Sequence, residues 1–181
     1  MSNVQVILVD EKDMPSGVSE KLTAHTEGLL HRAFSVFIFN HRGEMLLQQR
    51  ATQKYHSGGL WTNAVCSHPA PGEETNNAVT RRLNEELGFS APVKKIFDFI
   101  YRAELDNGLT EYEFDHVFAG EYDGPVNFNT DEVMNIEFKH VSTIKDLIDR
   151  HPGMFTAWFL IAFPKVKEWW MKEYSERSVN H

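Results

Sequence analysis

One helix-like segment flanked on both sides by strand-like runs limits the fold more than any other feature of this chain. Across residues 75–87, Val79, Leu83 and Leu87 recur every four residues and Ala78 widens the same apolar face, which predicts an amphipathic helix. Thr75 is the expected N-cap and Gly88 the expected residue just past the helix C-terminus. Upstream, residues 4–9 read as a strand, residues 34–39 and 44–49 as a hairpin around Asn40-His41-Arg42-Gly43, and residues 61–66 as a short extended stretch. Downstream, residues 93–101 and 110–119 read as strands joined by the turn signal Asp106-Asn107-Gly108, and residues 135–141 as another strand. Ser142 is expected to cap a short helix ending at Arg150, and residues 155–178 read as a helix with a break or kink at Pro164. This order predicts a mixed α/β (α+β) fold, a sheet with helices packed against it.

The 181 residues fit one domain, since domains commonly run to roughly 100–200 residues. Cys66 is the single cysteine, so no internal disulfide is expected. The apolar run at residues 4–9 is too short for a signal peptide and lacks a basic stretch before it. The most apolar stretch, residues 154–163, is too short to cross a bilayer core of roughly 30 Å as a helix. A cytoplasmic protein with no membrane partner is therefore expected. The formal net charge of −8 argues against a general nucleic-acid binder. It leaves room for a phosphorylated small molecule, provided local basic residues build the phosphate site.

Histidines and carboxylates carry the first chemical hints. His25 and His31 lie six apart, and His68 follows Cys66 by two residues. Histidine is a common metal ligand, often completed by carboxylates, although each of these alone reads equally as a hydrogen-bonded or surface residue. His41, His56, His116, His140, His151 and His181 are expected to be residues of that ordinary kind. In the strand at residues 110–119, Glu111, Glu113 and Asp115 share one face, opposite Tyr112, Phe114, His116 and Phe118. Carboxylates at i and i+2 stand about 7 Å apart at their backbones and can hold a cation between them. Taken alone, the pattern reads first as a solvated acidic face.

The run Asn63-Ala64-Val65-Cys66-Ser67-His68-Pro69, with Gly72-Glu73-Glu74 and Arg81-Arg82-Leu83-Asn84-Glu85-Glu86-Leu87-Gly88 after it, resembles a Nudix box. Glu73 matches its early glutamate, Arg81 its arginine, Leu83 its apolar position, Glu85 and Glu86 its glutamate pair, and Gly88 its last glycine. Ser67 stands where the opening glycine belongs, and Arg82 where a further magnesium-binding glutamate belongs, which puts diphosphate hydrolysis in doubt.

That degenerate box, the Asn-x-x-Cys-x-His-Pro segment at residues 63–69, the Glu111-x-Glu113 pair, upstream His25 and His31, and Trp158 together resemble the type I isopentenyl-diphosphate isomerases over nearly the whole chain. The resemblance implies a Nudix-like mixed sheet sandwiched between helices, with a core at residues 29–164 and an extension at residues 1–28 carrying Lys21 and His25. It implies an isomerase that interconverts isopentenyl and dimethylallyl diphosphate by antarafacial proton addition and removal through a tertiary carbocation. Cys66 and Glu113 match the acid–base pair and Tyr101 the tyrosine beside the acid. Trp158 matches the aromatic residue that faces the cation. By the same resemblance, His25, His31, His68, Glu111 and Glu113 bind one Mn2+ or Zn2+. A Mg2+ ion bridges the diphosphate to Glu86 and the Cys66 backbone carbonyl, and Lys21, Arg50, Lys54 and Arg82 hold the diphosphate. The substrate is the expected partner, to a monomer or homodimer. A Nudix-type diphosphate hydrolase is the alternative activity, and a non-catalytic binding module on the same scaffold a third reading.

Overall fold

Two apolar layers lie on the two faces of one strand. The computed structural model describes residues 4–179, with side chains through residue 176, so His181 lies outside the described residues. Strand β3 (His31–Phe39) is buried along nearly its whole length. Phe37 and Phe39 join one core cluster, whereas Phe34, Val36 and Ile38 join the other. This is the period-2 alternation of a strand covered on both sides. Helix α2 (Thr75–Leu87) covers the second face through Ala78, Val79, Leu83 and Leu87. The long helix α4 (Ala157–Val179) covers the first face through Trp158, Phe159, Ala162, Phe163, Val166 and Trp170. The expected sheet between helices is therefore present.

Among the described residues the sheet has nine strands. β1 (Gln5–Val9) and β2 (Pro15–Glu20) form an antiparallel pair, and β1 joins β3 through Leu8 and His31. On its other flank β3 runs parallel to β8 (Thr110–Glu121), and β7 (Val93–Glu104) pairs antiparallel with β8. The expected hairpin at residues 34–49 is only nominal. β3 and β4 (Glu44–Arg50) pair at Phe39 and Met45, and then part. β3 goes on to pair with β6 (Val65–Ser67), while β4 pairs with β5 (Trp61–Thr62) and β9 (Val133–His140). The extended stretch at residues 61–66 is thus two strands, serving the two diverging flanks.

Several end signals differ from expectation. Glu74 rather than Thr75 occupies the N-cap of α2, without a side-chain cap bond. His140, not Ser142, caps α3 (Val141–Arg150), and α4 is one continuous helix across Pro164. Packing overrides propensity here: Phe163, just before the proline, and Val166, two residues after it, are buried in the core. Helix α1 (Lys21–Glu27) and β2 gave no sequence signal. Gly88 does end α2, at φ 73°, and a Cβ there would lie 2.5 Å from the Asn127 carbonyl oxygen. Gly88→Ala is accordingly expected to cost more than the ~1–2 kcal/mol of a left-handed non-glycine residue. The readout is a lower urea midpoint at unchanged slope, and an unaltered midpoint would contradict it.

Candidate active site

The face of the sheet covered by α4 changes character along its strands. On β8, Val117 and Ala119 lie in the apolar core, while Asp115, Glu113 and Glu111 continue the same face toward the other end of the strand. The parallel register sets His31 beside Glu113, and the antiparallel register sets Tyr101 beside Glu113 from the other side. The three residues form one row across β3, β8 and β7. The acidic face is not solvated: Glu111, Glu113 and Asp115 are 4%, 7% and 1% exposed. Three adjacent carboxylates are tolerated in a protein interior only with strong compensation.

Part of that compensation is a cage of imidazoles. His25 on α1, His31 on β3, His68 after β6, and Glu111 and Glu113 place one donor atom each within 4.8 Å of one another. His25 Nδ1 lies 2.6 Å from the Lys21 carbonyl oxygen, and His31 Nδ1 lies 2.8 Å from that of Leu29. A carbonyl only accepts, so the Nδ1 atoms carry the hydrogens and the neutral rings turn Nε2 lone pairs into the cluster. His25 Nε2 is buried without a hydrogen-bond partner, 3.3 Å from Glu111 Oε1. His31 Nε2 faces His68 Nε2 at 3.2 Å and Glu113 Oε1 at 3.5 Å. Converging lone pairs repel unless a cation lies among them. Three imidazoles and two carboxylates suit a borderline divalent ion such as zinc or manganese, so the residues fit a metal.

The neutral ring is the metal-ligand form, and the carboxylate beside His31 favours a proton in that position. Burial opposes a charge on His31, but the hydrogen bond and the charge of Glu113 outweigh it and hold the imidazole above its usual value. Burial, reinforced by Lys21 and His31, drives His68 well below its usual value. Burial disfavours ionised Glu113, yet hydrogen bonds from its neighbours, His31 and Tyr101 among them, keep it below the usual carboxylate range. The Tyr101 hydroxyl donates to Glu113 Oε2 at 2.8 Å and lies 3.4 Å from Glu111 Oε2.

Cys66 sits on β6 opposite Ser35. Its sulfur donates to Asn63 Oδ1 at 3.0 Å and accepts the Trp158 indole N–H at 2.8 Å. Ser35 Oγ lies 3.6 Å from that sulfur and donates to Asp115 Oδ2 at 2.7 Å. Burial and the charge of Asp115 push the thiol up to about 12, so Cys66 keeps its proton at neutral pH. Cys66, Glu113, Tyr101 and Trp158 line one cavity together with Lys21, Arg50, Lys54 and Arg82. Burial lowers Lys21 to about 8. The Arg50 guanidinium lies over the Trp158 ring, 5.2 Å from its centroid.

Arg82 fills the space where a Nudix box would carry carboxylate. It donates to Glu85 at 2.7 Å and to Glu86 at 2.5 Å, and Gln48 donates to the second Glu86 oxygen at 3.0 Å. Arg81 braces the preceding loop through two bonds to Glu73, at 2.8 and 2.9 Å. The α2 glutamates are therefore paired with arginines, and among the described residues they are not part of the metal-type cluster. Sequence reasoning missed Glu132, which contacts both Lys54 and Arg82, and Tyr55 and His56, which line the cavity. His56, expected to be an ordinary histidine, is instead 3% exposed and 3.2 Å from Glu111.

The sheet, its helix pair and the cluster define a Nudix-domain protein. The NUDIX domain family matches residues 29–159. A crystal structure from Deinococcus radiodurans superposes at a TM-score of 0.68 with 18% identity, covering 81% of this chain and 90% of that one. Sequence similarity goes further. The isopentenyl-diphosphate Delta-isomerase of Pectobacterium atrosepticum is 49% identical over 98% of this chain and 99% of its own length. The isopentenyl-diphosphate Delta-isomerase 2 of Photorhabdus laumondii is 45% identical over 91% of this chain and 96% of its own. This chain belongs to the isopentenyl-diphosphate Delta-isomerase family. Among the described residues no helix is long and apolar enough to cross a membrane.

Proposed function

We propose that the chain interconverts isopentenyl and dimethylallyl diphosphate in the cavity between β8 and α4. One observation carries the mechanism: the Cys66 sulfur and the Glu113 carboxylate, on different strands, open into the same space. Moving the double bond requires a proton added at one carbon and another removed two bonds away. A thiol and a carboxyl group lining one cavity, each able to give or take a proton, are the pair such chemistry needs. They would act on opposite faces of the alkene. Cys66 gives its proton to one carbon, the tertiary centre becomes cationic, and Glu113 takes a proton from the other neighbouring carbon. The reverse direction exchanges the two roles. Tyr101 orients the Glu113 carboxylate through its 2.8 Å hydrogen bond.

Trp158 supports the charged centre. The Arg50 guanidinium over its ring, 5.2 Å from the centroid, supports reading this face as one that attracts positive charge. Cation–aromatic attraction in a desolvated site is worth about 2 kcal/mol or more. Trp158→Leu is therefore expected to lower kcat roughly thirtyfold with a smaller change in KM. An unchanged kcat would remove the indole from the mechanism.

His25, His31, His68, Glu111 and Glu113 would hold one Mn2+ or Zn2+. A Mg2+ ion would bind with the diphosphate, next to Glu86 and the Cys66 carbonyl. These ions supply positive charge that holds the substrate phosphates and balances the buried carboxylates. Lys21, Arg50, Lys54 and Arg82 bind the diphosphate oxygens, with guanidinium groups suited to bidentate contact. Incubation with isopentenyl diphosphate and Mg2+ in heavy water tests the reading. Deuterium in the five-carbon product is expected. Phosphate release from nucleoside diphosphate derivatives without any isomerisation would favour the hydrolase instead, although Arg82 in place of a carboxylate of the box speaks against it.

A further inference from the structure

Five side chains, those of His25, His31, His56, His68 and Tyr101, converge on Glu111 and Glu113, and the His56 ring has the opposite polarity from the His25 ring beside it. His56 lies in the irregular segment between β4 and β5 and is 3% exposed. Its Nε2 is 3.2 Å from Glu111 Oε1, the same oxygen that lies 3.3 Å from His25 Nε2. Its Nδ1 is 3.2 Å from Ser57 Oγ. The two ring nitrogens face partners of different kinds. An ionised carboxylate only accepts, whereas a serine hydroxyl can donate. The consistent assignment puts the hydrogen on Nε2, aimed at Glu111, and leaves Nδ1 to accept from Ser57. His25 is the reverse: its Nδ1 is committed to a backbone carbonyl, and its Nε2 offers a lone pair. Two imidazoles thus meet one carboxylate oxygen, one as a would-be ligand and one as a donor.

We propose that His56 is a positioning residue for the metal site: it donates Nε2–H to Glu111 Oε1 and fixes that carboxylate opposite His25 without itself ligating the ion. The proposal rests on reading the five-residue cluster as a metal site. The segment carrying His56 is held for this task. The Ser57 backbone, in the left-handed region at φ 53°, donates its N–H to Asp106 Oδ1 at 3.2 Å. Asn107 Nδ2 donates to the Tyr55 carbonyl at 3.2 Å, and Arg50 donates to the His56 carbonyl at 3.3 Å. The tip of the β7–β8 hairpin thereby fastens the histidine against a carboxylate near the start of β8. Hydrogen-bond partners of metal ligands commonly matter about 10- to 100-fold in metal affinity.

The test strips the protein of metal and titrates Zn2+ and Mn2+ against a chelator. Wild type, His31→Ala, His56→Leu and His56→Gln are compared. The glutamine amide places an N–H close to the position of Nε2, whereas leucine keeps bulk without a donor. His56→Leu is expected to weaken metal binding about 10- to 100-fold, and His56→Gln to restore it to within about threefold of wild type. Equal affinity in wild type, His56→Leu and His56→Gln would overturn the proposal. So would equal weakening of both variants, which marks a lost ligand or lost packing rather than a lost donor. Long-range proton–nitrogen spectra of the wild-type protein give an answer that needs no variant to fold. They should show the ring hydrogen of His56 on Nε2 and that of His25 on Nδ1, and a His56 hydrogen on Nδ1 would refute the donor role. Failure of the underlying reading is separate: wild type would then bind no ion, or His31→Ala would bind as tightly as wild type.

Discussion

Replacing Cys66 with alanine is expected to reduce isomerisation by about 10³-fold or more while leaving one bound metal ion and a folded protein. General acid–base groups contribute roughly 10²–10⁴-fold each, and no second thiol exists to take over. The fold should tolerate the change. The Cys66 side chain is not part of the cluster of His25, His31, His68, Glu111 and Glu113. Its loss leaves the Trp158 indole N–H without its sulfur acceptor, a cost of about 1–3 kcal/mol at most for a buried polar group, while Asn63 Oδ1 keeps the Thr62 hydroxyl as donor. Turnover, metal content and thermal midpoint are measured on one preparation. Turnover within tenfold of wild type would sink the thiol's role, and loss of metal together with turnover would make Cys66 structural.

What the sequence disclosed and what it concealed divide along a physical line. Local periodicity was readable: the four-residue spacing of Val79, Leu83 and Leu87 gives α2, and the alternation on β8 puts Glu111, Glu113 and Asp115 on one face. Burial of that face was not readable. It depends on β3 lying parallel to β8, a pairing between residues some eighty positions apart, and on α4 closing over the same side. Hence an acidic strand face that reads as solvated is instead the floor of a cavity. The family resemblance named the cage residues, but only the fold shows why His25 belongs. Helix α1 has seven residues, too short for a periodic signal, and it ends at Gly28 in the left-handed conformation. His56 had no signal at all, because its segment has no regular structure and its hydrogen bonds reach to a distant hairpin tip.

Glu113→Gln carries the second large expectation, and its contrast with Glu111→Gln separates two roles that the geometry places on neighbouring side chains. Both carboxylates belong to the cluster, so either amide should weaken the metal by more than the ~10- to 100-fold typical of outer partners. Only Glu113 also receives the 2.8 Å Tyr101 hydrogen bond and sits beside His31 in the cross-strand row. If Glu113 moves a proton, saturating metal cannot rescue its glutamine variant, because an amide nitrogen does not exchange protons with carbon at neutral pH. Glu111→Gln, whose contribution is electrostatic and positional, should recover most of its turnover when metal is supplied in excess. Expected results are therefore a loss of about 10³-fold or more in Glu113→Gln at any metal concentration, and a metal-dependent, largely reversible loss in Glu111→Gln. Full rescue of Glu113→Gln by added metal would assign the proton transfer to another group. Tyr101 would be the first to examine, since burial and the two carboxylates hold its hydroxyl well above the ordinary phenol range and keep it protonated.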